Sequence, residues 1–175
     1  MMLFFVLQCF YFMMPAYFSN MAPVIVKRWF KGLAFPIDSG KGIFGNNKTV
    51  RGLLFGVLFA VIIAYMQFSL YRFNSFSTLS LIDYSNWLLV GFLLGLGALL
   101  GDLTESFIKR RLKIKPGERF FPWDQLDFIL GSLLLVSLAV SLTLNMVLVI
   151  IIISVLGHII VNHSAYYLGI RKEKW

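Results

Sequence analysis

The chain has 175 residues, 59% of them apolar and only 14% charged, whereas a soluble domain is about half apolar and about a quarter charged. Its net charge of +8 comes without a signature of RNA or DNA recognition, which argues against a nucleic-acid partner. The single cysteine, Cys9, excludes a disulfide framework and a cysteine-based metal site, and the long uncharged runs make the lipid bilayer the solvent for most of the chain.

Crossing a hydrocarbon core of roughly 30 Å takes about 20 mostly apolar residues, and with no water to satisfy the backbone the crossing must be a helix or a closed barrel. From Met1 to about Val26 there is no charge. This run exceeds a signal-peptide core and lacks a basic region before it, so it is expected to be a retained span that Pro15 and Pro23 bend or end. Asn20 lies near its exit. The segment 27–51 differs in kind: Gly32, Pro36, Gly40, Gly42 and Gly45 keep it irregular, while Lys27, Lys31, Lys41 and Lys48 make it cationic. A turned, basic loop suits an anionic ligand.

Gly52–Leu70 reads as a second span and Tyr84–Gly101 as a third, joined by a Ser/Thr/Asn-containing connector over 73–86. Gly91, Gly95 and Gly97 favour close helix packing, and Trp87 and Trp123 suit membrane interfaces. The third span continues as a helical pattern into charged residues, where Asp102, Ser106, Lys109, Arg110 and Lys113 recur at three- and four-residue spacing and share one face. Pro122-Trp-Asp-Gln-Leu-Asp-Phe128 follows, with Asp124 and Asp127 on one side of a helix start. The run from Phe128 to His163 would reach about 50 Å as one helix, so it is expected to fold back near Asn145 into a fourth and a fifth span. In the last of these, His158 and Asn162 share a face and, with His163, read as packing or interhelical bonding.

Short cytoplasmic loops hold an excess of Lys and Arg, and a five-span alternation leaves only Arg72 outside. The expected fold is therefore an all-α integral membrane protein of about five transmembrane helices, N-terminus outside and C-terminus cytoplasmic. Residues 1–175 are expected to form a single transmembrane domain, with cytoplasmic loops at about 27–51 and 109–123.

A carboxylate in the bilayer costs about 2.5–3.5 kcal/mol on insertion scales, so the acids need cations or water close by. All-oxygen ligands favour Mg²⁺, which is usually held by one or two carboxylates together with substrate phosphates. The neighbouring Lys and Arg then fit a phosphate-rich ligand. A plainer account pairs Asp102 and Glu105 with Lys109 and Arg110 along a helix, makes Asp124 a helix cap and assigns the basic loops to membrane sorting. A small ion- or proton-coupled transporter is the rival function, although no internal repeat is visible and the acids adjoin the basic loops.

Asn20-Met-Ala-Pro23, Pro36-Ile-Asp-Ser-Gly40 and Phe44-Gly-Asn-Asn-Lys-Thr-Val-Arg-Gly52 occur in that order. With Gly101-Asp-Leu-Thr-Glu-Ser-Phe-Ile-Lys-Arg-Arg111, Ile114-Lys-Pro-Gly117 and Pro122-Trp-Asp-Gln-Leu-Asp-Phe128, they resemble the archaeal CDP-archaeol synthases over nearly the whole chain. The second half is similar to the CDP-diacylglycerol synthases, without their His-Gly-Gly, and Val50 stands where an aromatic residue is expected.

The resemblance implies a membrane-embedded cytidylyltransferase that moves CMP from CTP to the phosphate of a di-geranylgeranyl glyceryl ether. The products would be a CDP-lipid and pyrophosphate, Mg²⁺ would be required, and the active site would lie at the cytoplasmic face of the cell membrane. A lipid phosphate is already an anionic nucleophile, so alignment and charge neutralisation suffice without a general base. On this reading Asp102, Asp124 and Asp127 hold metal, Asp102 and Asp127 foremost, with Glu105 a weaker candidate. Lys48, Arg51, Lys109 and Arg110 bind phosphates with help from Thr49 and Ser106, and Asn20, Asn46 and Asn47 orient a substrate.

Overall fold

The computed structural model describes residues 2–45, 47–115 and 118–167. In chain order the helices are α1 (Met2–Trp29), α2 (Val50–Tyr71), the short α3 (Asn74–Ser77), α4 (Trp87–Arg111), α5 (Trp123–Val136) and α6 (Leu144–Tyr167). A 3₁₀ turn, Tyr84–Asn86, leads into α4. The protein is an all-α integral membrane protein. Among the described residues, α1, α2, α4 with its entry turn, and α6 are long and apolar enough to cross a bilayer. The 14 residues of α5 reach about 21 Å, short of a hydrocarbon core of about 30 Å. Four of the five expected crossings therefore meet the length requirement.

The uncharged run 128–163 does fold back, but over residues 137–143 and thus ahead of Asn145. The reason is a cap: Thr143 Oγ1 accepts the Met146 amide at 3.3 Å, and α6 begins there.

Neither Pro15 nor Pro23 ends α1, which runs unbroken through both. A proline leaves the carbonyl four residues earlier without its helical donor, and for Pro15 that carbonyl belongs to Tyr11. Buried Gln67 of α2 supplies the missing donor, its Nε2 reaching Tyr11 O at 2.5 Å. Replacement of a lost backbone bond by a neighbouring helix is what allows proline inside a membrane helix.

The core gathers around α1. Cys9, Phe12, Met13 and Ala16 pack with Leu94 and Ala98 of α4, with Phe128, Ile129, Leu133 and Val136 of α5, and with Ile150 of α6. Large apolar side chains at four-residue spacing face outward, such as Leu54, Leu58 and Ile62 on α2 and Leu148, Ile152, Leu156 and Ile160 on α6. In hydrocarbon such exposure carries no penalty, so helix association falls to close packing and interhelical bonds. Ser19 Oγ donates to Gly95 O, and Ser132 Oγ donates to Leu94 O, both at 3.0 Å.

The tightest contact joins α4 to α5. A Cβ added at Gly97 would strike the Gly131 carbonyl, one at Gly131 the Gly97 carbonyl, and one at Gly101 the Asp127 carbonyl. Only hydrogen at these positions lets the two backbones touch. Asp102 follows Gly101, and Asp127 is the residue whose carbonyl Gly101 meets, so this packing fixes the spacing of the acids.

Candidate active site

The segment between α1 and α2 is closed at its base by an antiparallel bridge between Pro36 and Thr49, in which the Ile37 amide donates to Lys48 O at 2.9 Å. Gly40, Gly42 and Gly45 take positive φ values of 80°, 74° and 88°, which side-chain-bearing residues rarely adopt. Asp38 is buried and organises this turn. Its Oδ2 accepts the amides of Ile43 at 2.7 Å and Phe44 at 3.1 Å, and its Oδ1 accepts that of Gly40 at 3.1 Å. These backbone donors, Phe44 first, hold its carboxyl below the usual carboxylate range. The turn lies over α4, Phe44 meeting Phe107 at a ring separation of 6.3 Å.

So held, Lys48 points at the end of α4. Its Nζ donates to both carboxylate oxygens of Asp102, at 2.6 and 2.5 Å. Lys109 lies beside two more acids: its Nζ is 2.8 Å from Glu105 Oε1 and in direct contact with Asp124 Oδ1. One carboxylate oxygen from each of Asp102, Glu105 and Asp127 falls within 4.8 Å of the others. Glu105 Oε1 is buried and makes no hydrogen bond of acceptable geometry despite its closeness to Lys109. Three convergent carboxylates with an unsatisfied buried oxygen form a hard, all-oxygen donor set that fits a divalent cation such as Mg²⁺ or Ca²⁺.

These groups line a cavity of about 480 Å³, a size ordinary for a small-molecule site. Its polar part comprises Asn47, Lys48 and Thr49 from the turn, Asp102, Glu105, Ser106, Lys109 and Arg110 from α4, and Asp124 and Asp127 from α5. Its apolar lining includes Pro23 and Val24 of α1, Leu53 of α2, and Leu99 and Leu103 of α4, and Asn20 of α1 and His158 of α6 complete it with neutral polar side chains. The described ends of α1, α2, α4 and α5 and the later half of α6 thus meet at one pole of the bundle.

Most of the residues expected at a site converge, and several expectations are corrected. Asp124 lines the cavity but is not among the three acids whose oxygens fall within 4.8 Å of one another, and its own oxygens meet Lys109 and, at 2.6 Å, the Phe120 amide. Glu105, ranked lower from sequence, is in the trio. Nor is Asp124 a cap, since Pro122 occupies that position of α5. Arg51 does not line the cavity: its Nη1 donates to Phe30 O at 2.5 Å, satisfying a carbonyl beyond the end of α1. Thr49 reaches the cavity while capping α2, accepting the Gly52 amide at 3.2 Å. Lys113 leaves the shared face because α4 ends at Arg111 and Lys113 turns to φ 60°. Asn46 lies outside the described residues. The pairing of Glu105 with Lys109 along the helix is present, so the plainer reading of those two residues holds alongside the cluster.

Two residues gain a role that the sequence reading did not give them: Asp38, present there only within a motif, organises the turn, and His158, read as packing or interhelical bonding, lines the cavity. Asp38 sits in a Pro-Ile-Asp-Ser-Gly stretch, a pattern that signals an Asx-type turn. His158 follows Ile150 and Ser154 at four-residue spacing, a row that is buried at both earlier positions.

A family model described as CarS-like, CDP-archaeol synthase, matches residues 2–175. A CDP-archaeol synthase of Pyrobaculum islandicum is 40% identical over 167 residues, covering 92% of this chain and 93% of that protein. One of Pyrococcus furiosus is 36% identical over 176 residues, covering 97% and 98%. A solved structure reported as an intramembrane enzyme for archaeal membrane lipid biosynthesis aligns with a TM-score of 0.71 at 29% identity, over 87% of this chain and 90% of that one.

Proposed function

The chain belongs to the CDP-archaeol synthase family, membrane cytidylyltransferases of archaeal lipid synthesis, and from that premise we propose that it transfers CMP from CTP to the phosphate of a di-geranylgeranyl glyceryl ether, releasing pyrophosphate, with Mg²⁺ as the metal. One observation carries this reading: three carboxylates converge beside a lysine-bearing turn in a cavity that also has an apolar lining. A nucleoside triphosphate and the headgroup of a lipid are the pair of ligands that such a cavity suits.

An oxygen of the lipid phosphate attacks the α-phosphorus of CTP, a new P–O bond forms, and the bond to the β-phosphate oxygen breaks with its electron pair leaving on pyrophosphate. The nucleophile is already an anion, so the chain need not remove a proton. Asp102, Glu105 and Asp127 are the residues proposed to hold Mg²⁺, which when bound supplies charge neutralisation at the phosphates. Lys48, Lys109 and Arg110 bind phosphate oxygens through charge-assisted hydrogen bonds, and Ser106, Thr49 and Asn47 add neutral contacts. Lys48 and Lys109 meanwhile keep the acids compensated, which a cluster of carboxylates at a membrane boundary requires.

Basic residues adjoining this pole support a cytoplasmic face for it by the positive-inside rule, where CTP would arrive from the cytosol while the lipid chains stay in the bilayer. The whole of 1–175 then acts as one catalytic unit. The test is transfer of label from CTP to the ether-lipid phosphate by the purified chain in bilayer nanodiscs, with and without Mg²⁺. Metal-dependent appearance of lipid-linked CMP and pyrophosphate is expected, and its absence with the chain intact would refute the assignment.

A further inference from the structure

Resting on that reading, we infer that His158, with Asn20, forms the subsite for the phosphate of the lipid nucleophile, entered sideways between α1 and α6. The argument begins with a row on α6. Met146 and Ile150 are buried in the core, Ser154 is 4% exposed, and its hydroxyl shares a 2.6 Å hydrogen bond with Tyr17 of α1. His158 is the next residue of this row, so the face of α6 that points into the bundle delivers the imidazole to the cavity it lines. On α1, Asn20 stands one turn beyond Tyr17 and lines the same cavity. The Tyr17–Ser154 bond thus sets two neutral polar side chains at one level, one from each helix.

The helices that carry them, α1 and α6, are not the elements that carry the proposed triphosphate groups. The lysine-bearing turn packs on α4, against Phe107 and Arg110, whereas α6 packs on α1 and α5. His158 also lies within the stretch Leu144–Val161 that is apolar enough to span the bilayer. One turn beyond Asn20 on α1, Val24 lines the cavity yet is 73% exposed, so this wall is apolar and open outward. A headgroup that stays attached to chains in hydrocarbon meets the cavity from here, and its phosphate needs donors that do not bring a permanent charge into the bilayer. An imidazole and a carboxamide meet that need. The arrangement places a monoester phosphate on Asn20 and His158 with its attacking oxygen turned toward the groups on α4.

The experiment uses full-length protein in nanodiscs, with steady-state kinetics on ether-lipid phosphate and CTP and calorimetry of CTP alone. His158→Phe keeps a ring of similar volume without polar atoms, and His158→Gln keeps a neutral donor. The expected result is a rise of at least tenfold in KM for the lipid phosphate with His158→Phe, a CTP affinity within twofold of wild type, and recovery of most of the loss with His158→Gln. His158→Ala gives the same reading should the phenylalanine not fit. A loss of CTP affinity at unchanged lipid KM would put the imidazole on the nucleotide and overturn the inference. Unchanged kinetics in the Phe and Ala variants, or equal losses in Phe and Gln with a lowered melting temperature, would make His158 a packing residue and overturn it too. Failure of wild-type protein to transfer CMP would sink the parent assignment instead.

Discussion

Lys48 Nζ donates to both oxygens of Asp102, at 2.6 and 2.5 Å, across a gap of 54 residues in sequence. The lysine therefore occupies one of the three carboxylates that form the candidate metal group, and it is also the turn's cationic contact in the cavity. Lys48→Met should do two opposite things. Binding of Mn²⁺ alone, followed by electron paramagnetic resonance, should tighten because a competing cation is gone. KM for CTP should rise about 10- to 100-fold, matching about 1.5–3 kcal/mol for a hydrogen bond to a charged group. A parallel loss of both would mean that Lys48 merely folds the turn.

The carboxylates are proposed to divide into three metal ligands and a support. Asp102→Asn, Glu105→Gln and Asp127→Asn should each abolish Mn²⁺ binding to the chain and lower kcat at least about 100-fold, since a metal supplies several kcal/mol of charge stabilisation. Asp124→Asn should still bind Mn²⁺, because Asp124 acts on Lys109 and on the Phe120 amide. Its cost is about 10-fold in activity, the scale of an outer partner. Equal loss of metal binding in all four would return Asp124 to the ligand set.

Backbone contact between α4 and α5 makes Gly101 a stringent position. Gly101→Ala places a methyl group against the Asp127 carbonyl, which is rigid backbone. Parting the helices should cost about 1–3 kcal/mol or more and move Asp127 away from Asp102, so both melting temperature in detergent and activity fall. Gly56→Ala is the comparison. Its methyl meets the flexible end of Leu99 at 2.8 Å, and a smaller thermal shift with activity retained is expected.

The pH response of the turn follows from Asp38. Backbone amides lower its folded pKa, so the ionised form is favoured by folding, and the stability it contributes is fully present above the unfolded value. That contribution is lost progressively as pH falls from the unfolded value through the lower, folded one. Proteolytic nicking within 33–45 should therefore stay constant in wild type from neutral pH down to about 4, the ordinary carboxylate range, and rise below it. Asp38→Ala should be nicked throughout. Onset in wild type well above that range would contradict the sign.

Much of this was legible in the residues, for reasons that differ by element. Long uncharged runs announce α1, α2, α4 and α6 because few other structures tolerate them, and the Gly-rich basic turn announces itself by composition. What sequence cannot show is direction. Lys48 and Arg51 are three residues apart and equally cationic, yet the bridged strand-like segment aims Lys48 at Asp102 while the first turn of α2 aims Arg51 at Phe30 O. Glu105 and Asp124 exchanged ranks for a similar reason, since which acid meets Asp102 depends on the helix crossing at Gly101 and Gly131. Small residues were visible there, but not which of them touch.

Gln67 offers the last test, of how α1 survives its proline. Among the described residues Tyr11 O is served by Gln67 Nε2 at 2.5 Å because Pro15 has no N–H to give it. Gln67→Leu should leave that carbonyl unpaired inside the bundle and destabilise the protein by about 1–3 kcal/mol. Pro15→Ala restores the helical donor, so the double variant Pro15→Ala with Gln67→Leu should recover most of the loss. A coupling of more than about 0.5 kcal/mol in a thermal double-mutant cycle is the expected outcome. Simple additivity would show that the bond is incidental and that α1 is kept helical through Pro15 by packing alone.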